Sequence, residues 1–351
     1  MQIETVNLGF IYDAKKQQHV IKRMVDHFRH LSKEYKIRLV FFTLENLDIE
    51  EQIINGTTIT GNDIRQEHAS LPPLIYNFAM HYTINQIEIM RNLRKMNNVT
   101  VINPINRFIQ DIIFEMLTTL TGSQQFLLPS ATFNESTLTE YLNNKYHTLF
   151  LLPEKTFHPP KAVVIKRFRK NHYMICFGQN GKMCGKDDLL DYIKKMMNNK
   201  KYILMKGIKY FHWGEGPLEA RVYLQKGAGG EWSNITISAK SCIFSKDIFY
   251  DTKINNILNG FITNEIKNIE QTLADVSLRI CRFLDFHIPF LGSCTIDYIF
   301  DEDHCPHLVY VGGFEQNQYL YLSMDPAVQY KLLNNAFHYL LFLANYSNEK
   351  G

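Results

Sequence analysis

The stretch DYIFDEDHCPHLVYVGGFE, residues 297–315, decides how the rest of the chain is read. It divides into two short strands, TIDYIF and HLVYVG, around the charged turn DEDHCP. Ile296, Tyr298 and Phe300 alternate with Thr295, Asp297 and Ile299 at the two-residue period of a sheet. Asp297 is the single carboxylate of the first strand, and the second strand has none before Glu315. A metal site on a hairpin usually draws oxygen ligands from both strands, so the stretch raises the question whether Asp297 is one half of a metal–phosphate site whose other half is missing.

Outward from this hairpin the segments alternate in period. Before it runs a long helix over about 262–284, with Ile262, Ile266, Ile269, Leu273, Val276, Ile280 and Leu284 at helical spacing. Before that come two long strands, EARVYLQKG and EWSNITISAK, joined through the GAGG turn at 227–230. The strands HTLFLLP, AVVIKRF, HYMICFG and YILMKGI precede them, with a helix at 186–199 between the last two. Helices are also expected in NRFIQDIIFEMLTTL and near 136–145, and a last helix opens at Asp325-Pro326, an N-cap followed by proline.

The first hundred residues differ. VNLGFIY, IRLVFFT, PLIYNF and VTVIN read as strands, and Val20, Met24, Phe28, Leu31 and Tyr35 mark a helix between the first two. Alternating strands and helices imply a mostly parallel sheet covered on both faces. GFIYDAKK follows the first strand where a dinucleotide site would place GxGxxG, which argues against that cofactor. The reading is an α/β domain over 1–102, then a mainly antiparallel α+β domain over 103–351 with a small lobe at about 145–205.

The chain of 351 residues, 45% apolar and 13% aromatic, is long enough for two or three packed cores. MQIETVNLGFIYDAKKQQ lacks the pattern of a signal peptide, and no apolar run reaches the length of about eighteen residues that a membrane span needs. A soluble, cytoplasmic protein is expected. Cysteines at 176, 184, 242, 281, 294 and 305 form no CxxC and read as reduced. His304, Cys305 and His307 lie together around Pro306, which reads as an exposed turn rather than a metal site.

Thirteen Lys and Arg between Lys161 and Lys209 face three Asp, a local charge of +10 within a net charge of +3. Such a segment favours an anionic partner, nucleotide phosphates or nucleic acid. Phe168, Tyr173, Phe177 and Tyr202 are interleaved there as a single-strand binder would require, but alternating strands of a core sheet explain them as well. Nucleic acid is the weaker reading.

The order of these segments resembles the ATP-grasp superfamily, in its spore-coat-associated YheC/YheD branch. LGFIY at 8–12, PPLIYNF at 72–78, NPINRFIQDIIFEML with FLLPSATF, YILMKGI at 202–208, PLEARVYLQKGAGGEWSNITISAK and INNILNG at 254–260 each stand where that branch has a similar element. The resemblance implies an N-terminal α/β domain ahead of a two-lobed ATP-grasp domain. It implies ATP and Mg²⁺ as cofactors for activating a carboxylate that an amine or thiol then attacks. It makes Arg221 the catalytic arginine, Asp297 a metal ligand, Asn256 a nucleotide ligand and the backbone of Leu204, Met205 and Lys206 the adenine contact. That last role assumes a linker strand with an open donor and acceptor.

The departures from the family pattern are heavier than the matches. Tyr310 stands where a metal-binding glutamate is expected, and Gly312 where an asparagine is expected. Gln110 and Leu152 replace the two phosphate lysines. EKTFHPPKAVV replaces the glycine-rich loop, and its prolines offer no run of N–H groups. Three functions stay open on this basis. They are a catalytically degenerate ATP-grasp protein acting through nucleotide or spore-coat partners, an active carboxylate–amine ligase with relocated ligands, and a nucleic-acid binder using 161–209.

Overall fold

In a computed structural model of the chain, the described residues are 6–81, 83–105, 107–144, 146–154, 162–177, 180–197, 200–213, 216–239, 252–253, 263–313 and 326–348. They build three main sheets.

The first sheet holds β1 (Asn7–Ile11), β2 (Arg38–Phe42), β3 (Leu47–Asp48), β4 (Ile53–Thr60), β5 (Asp63–Ser70), β6 (Leu74–Asn77) and β7 (Thr100–Ile102). β2, β1, β6 and β7 run parallel side by side, as the alternation of strand and helix implies. Helix α1 (Ala14–Tyr35) connects β1 to β2 and buries Ile21, Met24, Phe28 and Leu31 against Leu8, Phe10, Leu39 and Phe41. The opposite sheet face sets Ile11, Val40, Phe42 and Ile75 against Met90 and Leu93 of α2 (Ile84–Leu93). Apolar side chains at both odd and even strand positions are what a parallel sheet covered twice demands. One part was not expected. β4 and β5 form an antiparallel hairpin on the β2 edge, turning at Gly61 with φ +60°. β5, DIRQEHAS, is largely exposed, so the apolar alternation that reveals a half-buried strand is missing.

The second sheet, ordered β12-β11-β10-β9-β13-β8, is antiparallel throughout. Its strands are β8 (Ser130–Thr132), β9 (Thr148–Pro153), β10 (Val163–Arg169), β11 (His172–Phe177), β12 (Asn180–Gly185) and β13 (Tyr202–Lys206). Helices α3 (Gln110–Thr118) and α4 (Glu135–Asn143) precede β8 and β9, and α5 (Lys186–Met197) follows β12. Leu149, Leu151, Ile165 and Leu204 pack on α4 and α5, while Phe150, Leu152, Ile203 and Met205 face the larger core.

A short ribbon of β14 (His212–Trp213) and β15 (Gly216–Pro217) leads to the third sheet, ordered β18-β17-β16-β19-β20. These are β16 (Glu219–Lys226), β17 (Trp232–Ala239), β18 (Thr252–Lys253), β19 (Ser293–Phe300) and β20 (Pro306–Gly312). The β16–β17 turn places Gly229 and Gly230 at φ +76° and +73°, conformations that cost L side chains. Helix α6 (Thr263–His287) lays Leu273, Val276, Ile280 and Leu284 on Ala220, Val222, Leu224, Ile296 and Tyr298. Helix α7 (Pro326–Asn348) returns to the first sheet, where Leu333, Phe337 and Leu340 join the α1 core together with Tyr223 of β16.

Asn103, at the end of β7 with φ 56°, fastens the first sheet to the third. Its Oδ1 accepts from the N–H groups of Gly292 (2.7 Å) and Ser293 (3.0 Å), and its Nδ2 donates to Ser293 Oγ at 2.8 Å. Gly292 is required at this crossing, because a Cβ there would lie 2.3 Å from Ile102 Cγ2.

Candidate functional site

The two central strands of the third sheet divide by parity. Ala220, Val222, Leu224, Cys294, Ile296 and Tyr298 form the apolar face beneath α6. Glu219, Arg221, Gln225, Ser293, Thr295 and Asp297 are equally buried, and all are polar. Burying polar groups costs free energy unless each is paired, so such a face marks either a ligand surface or a closed network.

At its centre Arg221 stands directly opposite Asp297 in the β16–β19 register. Nε and Nη2 of the guanidinium both donate to the two carboxylate oxygens of Asp297, a bidentate fork. The side chains are 4% and 2% exposed, so the pair is shielded from solvent. Asp297 is also opposite Tyr310 on β20, and Thr295 is opposite Gly312. The Tyr310 ring occupies the space over Gly312: a Cβ at 312 would lie 2.6 Å from Tyr310 Oη and 2.9 Å from its Cε1. Further along the same face, Gln225 Nε2 donates to Tyr76 Oη at 3.0 Å, and that hydroxyl donates to Gly292 O at 3.2 Å. Full burial pushes the Tyr76 phenol up to about 12, which keeps it a neutral donor.

Gln110 and Leu152 have defined structural work. Gln110 is 1% exposed at the start of α3. Its Nε2 donates to Val311 O at 2.7 Å, and its Oε1 accepts from Val311 N at 2.9 Å. The amide thus stands in for a neighbouring strand along the outer edge of β20. Lysine, with donors only, could not make both bonds. Leu152 is 1% exposed, inside the core shared with Phe150, Ile203 and Met205.

Strand β13 lies between β9 and β8, so Leu204 and Met205 are paired on both sides. Lys206 N donates to Pro129 O at 2.8 Å, and the Lys206 ammonium sits 5.2 Å from the centre of the Tyr146 ring. The open backbone edge assumed for an adenine contact is occupied by β8 at 203–205. Asn256 lies outside the described residues, as do most of EKTFHPPKAVV and Glu315. In the turn after β19, Asp301 accepts from Cys305 N at 2.8 Å and contacts His307 Nε2 at 2.8 Å. No group of three or more His, Cys, Asp or Glu among the described residues is placed to hold a metal ion.

A sequence model described as YheC/D like ATP-grasp matches residues 98–343. The chain belongs to the YheC/D-like ATP-grasp family. Solved structures bear out the fold of this YheC/D-like protein over nearly its whole length. D-alanyl-alanine synthetase A from Vibrio cholerae superposes with a TM-score of 0.55 at 9% identity, covering 97% of this chain and 99% of that one. VanG D-Ala:D-Ser ligase from Enterococcus faecalis gives 0.55 at 10% identity, covering 96% and 100%. N5-carboxyaminoimidazole synthetase from Staphylococcus aureus complexed with ADP gives 0.51 at 10%, covering 94% and 77%. At such identities the likeness speaks for architecture alone. No curated protein sequence matches. Among the described residues no helix is long and apolar enough to cross a membrane.

The family implies Mg²⁺ on the β19–β20 hairpin, and the described residues there do not fit it. Magnesium takes near-octahedral oxygen coordination from carboxylates, waters and phosphates. Both Asp297 oxygens are engaged by Arg221, and the two partner positions carry a phenol and a glycine. What the sequence left hidden is that Arg221 and Asp297, 76 residues apart, oppose each other. Face parity was legible; the register between strands was not.

Proposed function

We propose that this YheC/D-like protein is a catalytically degenerate ATP-grasp that acts by binding rather than by metal-dependent ligation. The observation that carries this reading is the Arg221–Asp297 fork beside Tyr310 and Gly312, in which the carboxylate is neutralised by a guanidinium rather than by a metal ion. A nucleotide or another anion bound beside this hairpin would then be held without Mg²⁺, and carboxylate activation through an acyl phosphate would lack its metal. The spore-coat association of the branch makes coat proteins the partners to seek, a part of the proposal that rests on family resemblance.

Mn²⁺, which substitutes for Mg²⁺ at oxygen sites, provides the test. Electron paramagnetic resonance of the protein with ATP should show Mn²⁺ in proportion to nucleotide alone, with no added protein-bound fraction. A stoichiometric protein–ATP–Mn²⁺ signal would support the ligase reading instead. For the partner role, a fluorescent fusion followed through sporulation in a spore-forming host should concentrate at the forespore surface; a signal spread evenly through the cell would count against it.

A further inference from the structure

One concavity is lined by none of the polar residues of the third sheet. It has a volume of about 380 Å³ and lies between α2 and the segment leaving β7. Ligand sites of a few hundred Å³ with mostly apolar walls and a few converging polar groups are the common type. On α2, Ile87, Met90, Arg91 and Arg94 follow at i, i+3, i+4 and i+7, so a single helix face carries both apolar wall and charge. Ile105 closes the opposite side and remains 39% exposed.

Three guanidinium groups, Arg91, Arg94 and Arg107, line this space, and no carboxylate is among its lining residues. Arg107 is held in place by donating from Nη1 to His81 O at 3.0 Å. His81, 6% exposed, is bonded through its Nε2 to Asn77 Nδ2 at 3.0 Å. Asn77 Nδ2 also donates to Asn103 O at 2.9 Å, which ties His81 to the junction between the first and third sheets. Burial lowers the His81 pKa to about 4, leaving a neutral imidazole there at pH 7. The positive charge is therefore carried by the arginines, whose planar forks match carboxylate and phosphate oxygens.

We propose that this cavity is a binding site for an organic anion that joins one carboxylate or phosphate group to an apolar body. Inorganic phosphate would leave the isoleucine and methionine walls unused. A nucleic-acid strand would require a basic track longer than one pocket. The proposal does not depend on whether the β19–β20 hairpin retains any catalysis.

Calorimetry on the full chain tests it with four probes: 4-phenylbutyrate, phenyl phosphate, 4-phenylbutanol and inorganic phosphate. One aromatic anion should bind at least about tenfold more tightly than both the alcohol and inorganic phosphate, a gap of about 1.4 kcal/mol. Which of the two anions binds better identifies the headgroup. R91A/R94A alters two exposed side chains and should weaken that binding by about tenfold or more. Ile105→Glu, at the rim, should weaken it independently by charge repulsion. If no probe saturates, or if R91A/R94A binds the anion as well as the native chain, the arginines merely complement the C-terminus of α2 and the proposal is overturned.

Discussion

Tyr310 fills the place that a side chain at Gly312 would need, with its Oη 2.6 Å from where a Cβ would lie. The two departures from the family pattern are therefore one packing solution. Gly312→Ala should destabilise the protein by about 1–3 kcal/mol, as overpacking does. In a Tyr310→Ala background the same change should cost less than about 0.5 kcal/mol. Urea unfolding of the four proteins of this cycle measures the coupling; additive effects would show that the ring does not depend on the glycine.

The Arg221–Asp297 fork is buried, so removing one partner strands a charge. Asp297→Asn should cost about 3–5 kcal/mol, whereas Arg221→Met with Asp297→Leu together should cost less than either single change. Chemical denaturation of Asp297→Asn, the double variant and its two single changes checks this order. A single substitution costing under about 1 kcal/mol would indicate a solvated pair.

Gln110 closes the outer edge of β20 through both backbone atoms of Val311. Gln110→Leu should cost about 1–3 kcal/mol by leaving that N–H and C=O without partners. Hydrogen exchange at the Val311 amide should accelerate beyond what the global loss explains. Restoring the family lysine with Gln110→Lys should not recover stability.

His81 gives a pH dependence of defined sign. Its folded pKa, about 4, lies below the ordinary value of 6.5, so between these values the unfolded chain binds more protons and stability falls as pH falls. Taken from pH 7 to pH 5, the His81 contribution to stability should drop by about 2 kcal/mol. Urea unfolding at both pH values should show the His81→Gln variant losing less over this interval than the native chain. Equal losses would place the effect elsewhere.

Much of the fold could be read directly from the residues. The period-2 alternation of TIDYIF located β19 and separated its faces, the GAGG turn marked the β16–β17 hairpin, and the helical spacing from Ile262 to Leu284 located α6. β5 escaped because its exposed polar residues carry no periodic burial signal. The sequence offered candidate residues one at a time and not their pairings. Arg221 as a phosphate clamp and Asp297 as a metal ligand were separate expectations, and the register that sets the two opposite each other was not among them. Gln110 reads as a missing lysine until the edge of β20 arrives beside it from 201 residues away. Asn103 carried no chemical signature at all, since its role arises from a left-handed backbone meeting Gly292. Local pattern encodes faces and periods; pairings between distant strands are decided by the whole chain.

The most direct measurement is calorimetric titration of the native protein with ATP, with and without Mg²⁺, at concentrations that reach millimolar affinity. With the Asp297 carboxylate already neutralised by Arg221, ATP affinity should be unchanged by Mg²⁺, or ATP should not bind at all. An affinity strengthened about tenfold or more by Mg²⁺ would mean that a metal site is assembled with the bound nucleotide, and catalytic degeneracy would be contradicted.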